Sequence, residues 1–243
     1  MTKRLVLVAV LLAIAAGPAF AVPLNPLNVR PWNMTTEEAN YVRFVLGDIY
    51  GYDVVDPITN QQATGMWSLT GDSPAGMGLV LTNQVGSYVN DVAFGIWSGT
   101  NTDAINRVQI FSGAAAPFTY AELNWASPNS LSIAGGDGVN VGSDFNIDRY
   151  NYGFYITTPV GGTVHNHYSL DQLNHSGDAQ MVWYGDPGST RAFLFEDVDA
   201  PNRDSFGNLT VTEVAPNPEP ASLLLLGTGM VGLASAVRRR GKK

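Results

Sequence analysis

Five oxygen-bearing side chains, Glu196, Asp197, Asp199, Asp204 and Asn208, crowd into one short stretch towards the end of the chain. Calcium takes roughly six to eight oxygen ligands at about 2.3–2.6 Å and accepts irregular geometry. A loop between two strands can fold several carboxylates onto one point, and a cation there would offset their mutual repulsion. The other reading is a solvated acidic hairpin in which Asp and Asn shape the turn. Ser205 and Gly207 thin the ligand set, and none of these residues is assigned a catalytic role. A second acidic stretch holds Asp137, Asn140, Asp144, Asn146 and Asp148. Asp144-x-Asn146-x-Asp148 copies the first three ligand positions of an EF-hand loop, but Arg149 stands where the sharp-turn glycine belongs and Tyr155 where the bidentate glutamate belongs. Phe145 and Ile147 alternate with the polar residues, which is the pattern of a strand with one wet face. His165 and His167 share a face if that stretch is a strand, and with His175 they form a possible zinc set. They read equally as exposed polar positions on a strand and its following loop. Trp67, Trp97, Trp125 and Trp183, with Tyr150, Tyr152 and Tyr155, have faces that stack on sugar rings, although such residues in an all-β domain more often fill the core. The sequence has no G-x-S-x-G, P-loop, H-E-x-x-H or C-x-x-C.

The elements that must position these residues follow from hydrophobic period and breakers. Thr35 with Glu38 three positions on is a capping box, and Ala39, Val42, Val45, Leu46 and Ile49 recur at helical spacing until Gly51. This predicts one amphipathic helix over about 36–50 whose apolar face packs on a sheet. From Ala63 onward, short runs of Val, Ile, Phe, Trp and Tyr are broken by Gly, Asn, Asp, Ser and Pro. They predict strands at 64–70, 78–81, 91–97, 107–111, 118–123, 130–133, 144–148, 152–157, 164–169, 180–184, 191–196 and 209–214. That spacing indicates an all-β domain, a β-sandwich of jelly-roll-like type, rather than βαβ units.

Both ends of the chain read as targeting segments. Lys3-Arg4, an apolar run from Leu5 to Ala16, and Ala19-Phe20-Ala21 form a secretory signal peptide over residues 1–21, cut before Val22. At the other end, Pro218-Glu219-Pro220 precedes an uncharged run over 221–237, closed by Arg238, Arg239 and Arg240. As a helix this run reaches roughly 25 Å, the short end of what spans a hydrocarbon core, with the basic cluster left on the cytoplasmic side. Between the ends lie an N-terminal segment, 22–62, and the sandwich, 63–214, enough for one well-cored domain. Trimming both ends changes the charge. The 13 basic and 21 acidic residues of the whole chain become six arginines and 20 acids, so the exported body is near −14 against −8 for the whole. A phosphate backbone is repelled by such a body, so nucleic acid is excluded as a partner, whereas a divalent cation is attracted. The chain has no cysteine, so no disulfide framework supports it.

The tail, with its proline-flanked glutamate, short apolar span and arginine cluster in that order, resembles the PEP-CTERM sorting signal of Gram-negative bacteria that make exopolysaccharide. The resemblance covers about the last 26 residues of a tail spanning 215–243. It implies recognition by an exosortase, with Pro218, Glu219, Pro220, Arg238, Arg239 and Arg240 as the sorting motif and cleavage near the proline pair. A plain C-terminal membrane anchor is the alternative.

A second resemblance runs through the body. Asp91-Val-Ala-Phe-Gly-Ile-Trp97, Val108-Gln-Ile-Phe111, Tyr152-Gly-Phe-Tyr-Ile156, His167-Tyr-Ser-Leu170, Gln180-Met-Val-Trp-Tyr184 and Phe195-Glu-Asp-Val-Asp199, with the loop from Arg203 to Val211, resemble the DUF4114 domain over about 90–214. That family tends to carry a denser set of Asp and Asn in the loop where this chain has Ser205 and Gly207. The likeness implies a calcium-stabilised β-sandwich with a carbohydrate-binding or adhesive role.

The expectation is an exported, non-enzymatic protein sorted to the cell surface or extracellular matrix. It would be structural or adhesive, with calcium as its cofactor, exosortase as its processing partner, and exopolysaccharide or other surface proteins as further partners. The alternative is a secreted carbohydrate-active hydrolase using carboxylates of the 137–148 or 196–204 regions.

Overall fold

A computed structural model describes residues 21–23, 34–51, 55–62, 65–69, 75–84, 91–100, 102–137, 140–160, 163–177, 179–185, 190–197 and 206–214. The expected signal peptide core, the span at 221–237 and the sorting motif lie outside these residues, as do Asp199 and Asp204.

Helix α1 spans Thr36–Tyr50, the bounds the capping box and Gly51 predict. The Thr35 amide donates to Glu38 Oε2 at 2.6 Å and the Glu38 amide to Thr35 Oγ1 at 3.2 Å, satisfying two otherwise orphaned N–H groups. Around it the chain forms thirteen strands among the described residues: β1 (Ala21–Pro23), β2 (Trp67–Leu69), β3 (Ala75–Gln84), β4 (Ala93–Thr100), β5 (Asp103–Phe111), β6 (Tyr120–Ser127), β7 (Ser130–Gly135), β8 (Gly142–Phe145), β9 (Tyr152–Val160), β10 (Thr163–Tyr168), β11 (Met181–Tyr184), β12 (Arg191–Phe195) and β13 (Leu209–Val214). β1 straddles the expected leader cut, with Val22 and Pro23 pairing with Ser68 and Trp67.

The strands form two antiparallel sheets. The first runs β1-β2-β9-β4-β5, with β10 also on β9; the second runs β11-β12-β13-β3-β6-β7-β8. Aromatic pairs join their inner faces. Phe154 of β9 meets Phe193 of β12 with ring centroids 4.9 Å apart, Phe94 of β4 meets Phe195 of β12 at 5.8 Å, and Trp67 of β2 meets Trp183 of β11 at 6.3 Å. Each such side chain contributes roughly 1.5–3 kcal/mol by leaving water. The four tryptophans of the described residues are therefore core, not a sugar platform, and Tyr152 and Tyr155 are buried with them.

Burial patterns show where each sheet is covered. β6 alternates half-buried and buried from Tyr120 to Trp125, the pattern of a strand with one wet face. β11 and β12 are buried at every position. Their inward residues Trp183, Phe193 and Phe195 join the central core, while Val182, Tyr184, Ala192 and Leu194 pack outward against Val42, Val45 and Leu46 of α1. Tyr50 of the helix donates to the carbonyls of Tyr184 and Thr190, and Tyr184 donates to the carbonyl of Pro57. The helix thus covers one half of the second sheet's outer face. A smaller cluster of Met66, Trp97, Tyr155 and Leu170 covers the outer face of the first.

Two expectations change. The strand expected over 144–148 ends at Phe145; Asp144 adopts φ 66°, and the register with β7 shifts between Gly142 and Phe145. The following residues are held singly: the Ile147 carbonyl accepts from the Trp125 indole at 2.9 Å, and the Arg149 carbonyl accepts from the Leu69 amide. His167 is not an exposed strand position. It is buried on β10, with Nε2 3.0 Å from Thr158 Oγ1.

Candidate functional site

The end of the second sheet beneath α1 gathers the three expected calcium ligands that the structure describes, Glu196, Asp197 and Asn208. β11 pairs with β12 through Met181 and Phe195, and the ladder runs one step further, the Glu196 amide donating to the Gln180 carbonyl at 3.1 Å. β12 pairs with β13 through Phe195 and Leu209, so the next step brings Glu196 opposite Asn208. Gln180, Glu196 and Asn208 are therefore cross-strand neighbours in one row. Val182 and Leu194 point towards the helix, so Gln180 and Glu196, each two residues away, lie on that same face. Asp197 joins the row through its Oδ1, which accepts from Asn208 Nδ2 at 2.6 Å. All four residues are buried.

The row is rich in oxygen. Glu196 and Asp197 bring carboxylates, and Asn208 and Gln180 bring carboxamide carbonyls, the donor types a hard cation selects. Among the described residues no three His, Asp or Glu side chains gather closely enough to hold a metal ion. A cation here would need the amide oxygens. Neither Oε1 nor Nε2 of Gln180 has a hydrogen-bond partner among the described residues, although the side chain is fully buried. Leaving such a group unpaired costs about 1–3 kcal/mol. The sequence reading missed Gln180 because it lies far from the acidic loop in the chain. Its place as the first residue of an expected strand that pairs with the one ending at Glu196 was the available signal.

Gly207, read from sequence as a gap in the ligand set, has a structural task. It adopts φ 106°, and a Cβ there would stand 3.2 Å from Tyr41 Cε1 on the helix. Its amide donates to the Phe195 carbonyl at 3.1 Å, closing the return from β12 to β13.

The second acidic stretch does not converge. Asp137 Oδ2 accepts from the Ser112 amide, Asp144 Oδ1 from the Ser130 hydroxyl and Asp148 Oδ1 from the Tyr150 amide, each at a different place. Asn140 donates to the carbonyl of Gln109, and Asn146 is exposed. His165 and His167 do share a face, with ring centroids 6.5 Å apart, while His175 is exposed on a 3-10 turn; the three form no metal cluster.

Sequence reasoning also missed a buried ion pair. Arg191 and Glu213 are register partners on β12 and β13, and Arg191 Nη1 lies 3.5 Å from Glu213 Oε2 with both side chains out of solvent. They share the inner face with Phe193 and Val211. The guanidinium stands 5.8 Å from the Trp183 ring centroid. Burial, reinforced by the Glu213 charge, raises the Tyr152 phenol well above its ordinary value.

β13 is bonded on both sides, to β12 and to β3, and ends at Val214. The sequence that follows it decides where the domain goes. Residues 218–240 match the PEP-CTERM protein-sorting motif. Comparison with curated proteins and with solved structures gives no match. A chain carrying the PEP-CTERM motif is exported across the membrane of a Gram-negative bacterium, held there by its tail, processed by an exosortase and sorted to the cell surface. Residues 215–217 are all that separate β13 from the motif, so an extended chain places Pro218 no more than roughly 14 Å from the folded sheet.

Proposed function

We propose that this protein is a non-enzymatic surface component, structural or adhesive, in which an acidic β-sandwich is stabilised by calcium and contacts exopolysaccharide or other surface proteins. The observation that carries the reading is the joining of a PEP-CTERM motif to a two-sheet antiparallel body whose carboxylates serve the fold. Asp148 closes a local turn, Asp137 and Asp144 accept from the more distant Ser112 and Ser130, and Glu213 pairs with Arg191 inside the sandwich. A hydrolase of glycosides needs two carboxyl groups facing one bond across roughly 5 to 10 Å. Asp137, Asp144 and Asp148, each tied to a separate contact, do not face one another in that way, which supports the non-enzymatic reading. The resemblance of residues 90–214 to DUF4114 supports the adhesive reading, and Glu196, Asp197, Asp199, Asp204 and Asn208 are the calcium ligands it implies. When bound, calcium supplies charge neutralisation at that end of the sheet and no chemistry.

Incubating the purified exported protein with the producing organism's exopolysaccharide tests the reading. The expected result is retention on the polysaccharide without release of reducing ends. Steady release of reducing ends, lost on changing one carboxylate, would establish the hydrolase instead.

A further inference from the structure

We propose that Gln180 is a ligand of the cation, so that the site is built across the ends of β11, β12 and β13 rather than inside one acidic loop. The inference rests on the calcium reading above and adds to it a residue from outside the loop. Gln180 is fully buried, and its carboxamide has no hydrogen-bond partner among the described residues. The register places it directly across from Glu196 on the face that also carries Asn208, with Asp197 bonded to Asn208. A carboxamide oxygen is a neutral hard donor of the kind calcium accepts beside carboxylates, and it adds no further negative charge to a row that already has two. Thr210, two residues beyond Asn208 on the same face, also has a buried hydroxyl without a partner among the described residues. Two buried polar side chains without a partner among the described residues, Gln180 and Thr210, thus lie on the face that carries Glu196 and Asn208.

The geometry gives the cation a mechanical role. A ligand from β11 joined to ligands from β12 and β13 ties the last three strands together at one end. β13 is the strand from which the PEP-CTERM tail departs. Calcium beside Asn208 pins the start of that strand, at the opposite end from Val214, where the tail leaves.

The test uses the purified exported protein, stripped with chelator, then titrated with calcium chloride by calorimetry and melted with and without the ion. Wild type is expected to bind one calcium and to melt higher with it, since an ion bound only by the folded state raises the midpoint by mass action. Gln180→Leu is expected to melt at or above the wild-type temperature in chelator, because an unpaired amide has been replaced by an apolar group, yet to bind calcium at least tenfold more weakly. Gln180→Glu reads the opposite way: a lower midpoint in chelator from a third carboxylate beside Glu196 and Asp197, recovered on adding calcium. It decides the matter if the leucine variant does not fold. Wild-type calcium affinity in Gln180→Leu, with binding lost in Asp197→Asn, would remove Gln180 from the site and leave the calcium reading standing; the amide would then be satisfied by water. Absence of calcium binding by the wild type at millimolar concentration would overturn both.

Discussion

Gly207 does two things that an aspartate or asparagine in its place would undo: it turns the chain through a positive φ, and it lets the helix approach the sheet at Tyr41. Gly207→Ala is expected to cost about 1–3 kcal/mol in denaturant unfolding, since a side chain is held in a backbone region it avoids. Calcium affinity should change less than stability does. The Arg191–Glu213 pair makes a second residue-scale prediction. Arg191→Met alone leaves a carboxylate buried without its counter-charge and is expected to cost about 3–5 kcal/mol, whereas Arg191→Met with Glu213→Leu recovers most of that loss. A double-mutant cycle in guanidinium measures both. The inward position of each residue was open to a sequence reading that missed the pair itself. In Leu209-Thr-Val-Thr-Glu213 the apolar residues alternate, and continuing the alternation puts Glu213 on the inward face with Val211; the same count puts Arg191 inward with Phe193. What composition conceals is that an inward carboxylate and an inward guanidinium meet only if β12 and β13 pair in one register, and pairing is a tertiary fact.

At the scale of elements, the helix was read to the residue because its signals are local: the capping box at one end and Gly51 at the other. Thr35→Ala is expected to lower stability by about 1 kcal/mol. Leu46→Ala, which opens a cavity between α1 and β11–β12, should cost about 2–5 kcal/mol, and thermal melts rank the two. Strand positions were legible from their β-branched and aromatic runs, but strand ends moved. β5 is longer than its apolar run suggests, reaching back to Asp103 through exposed Ile105 and Arg107. It lies at the edge of the first sheet, where open backbone groups invite pairing with other chains. Two register shifts against β4 bend it, and the Asn140 carboxamide covers its Gln109 carbonyl. On β10 the Asn174 carboxamide bonds both the amide and the carbonyl of Tyr168. Asn140, read as a weak metal ligand, is thus an edge cap, a task no local sequence pattern announces.

At the scale of the molecule, buried phenols set the alkaline limit of the fold. Burial, opposed by the nearby Arg107 charge, pushes Tyr155 up from 10 to about 12, and burial raises Tyr152 and Tyr184 as well. The folded protein keeps protons that the unfolded chain releases above about pH 10. Stability contributed by these groups is therefore whole below that pH and falls as the pH climbs towards 12. Melting temperatures between pH 8 and 12 should hold level to about 10 and then drop, with tyrosinate absorbance at these sites appearing only as the fold is lost. Above all, this folded, acidic sandwich is expected to leave the cytoplasm and to lose its PEP-CTERM tail on the way to the surface. Intact-mass measurement of the protein recovered from surface and membrane fractions, in cells with and without the exosortase, tests it most directly. The expected result is a species ending near Pro218–Pro220 at the surface of normal cells, and a membrane-held species retaining Arg238–Arg240 when the exosortase is removed. Recovery of the full chain, leader and tail included, from the soluble cytoplasmic fraction of both strains would contradict it.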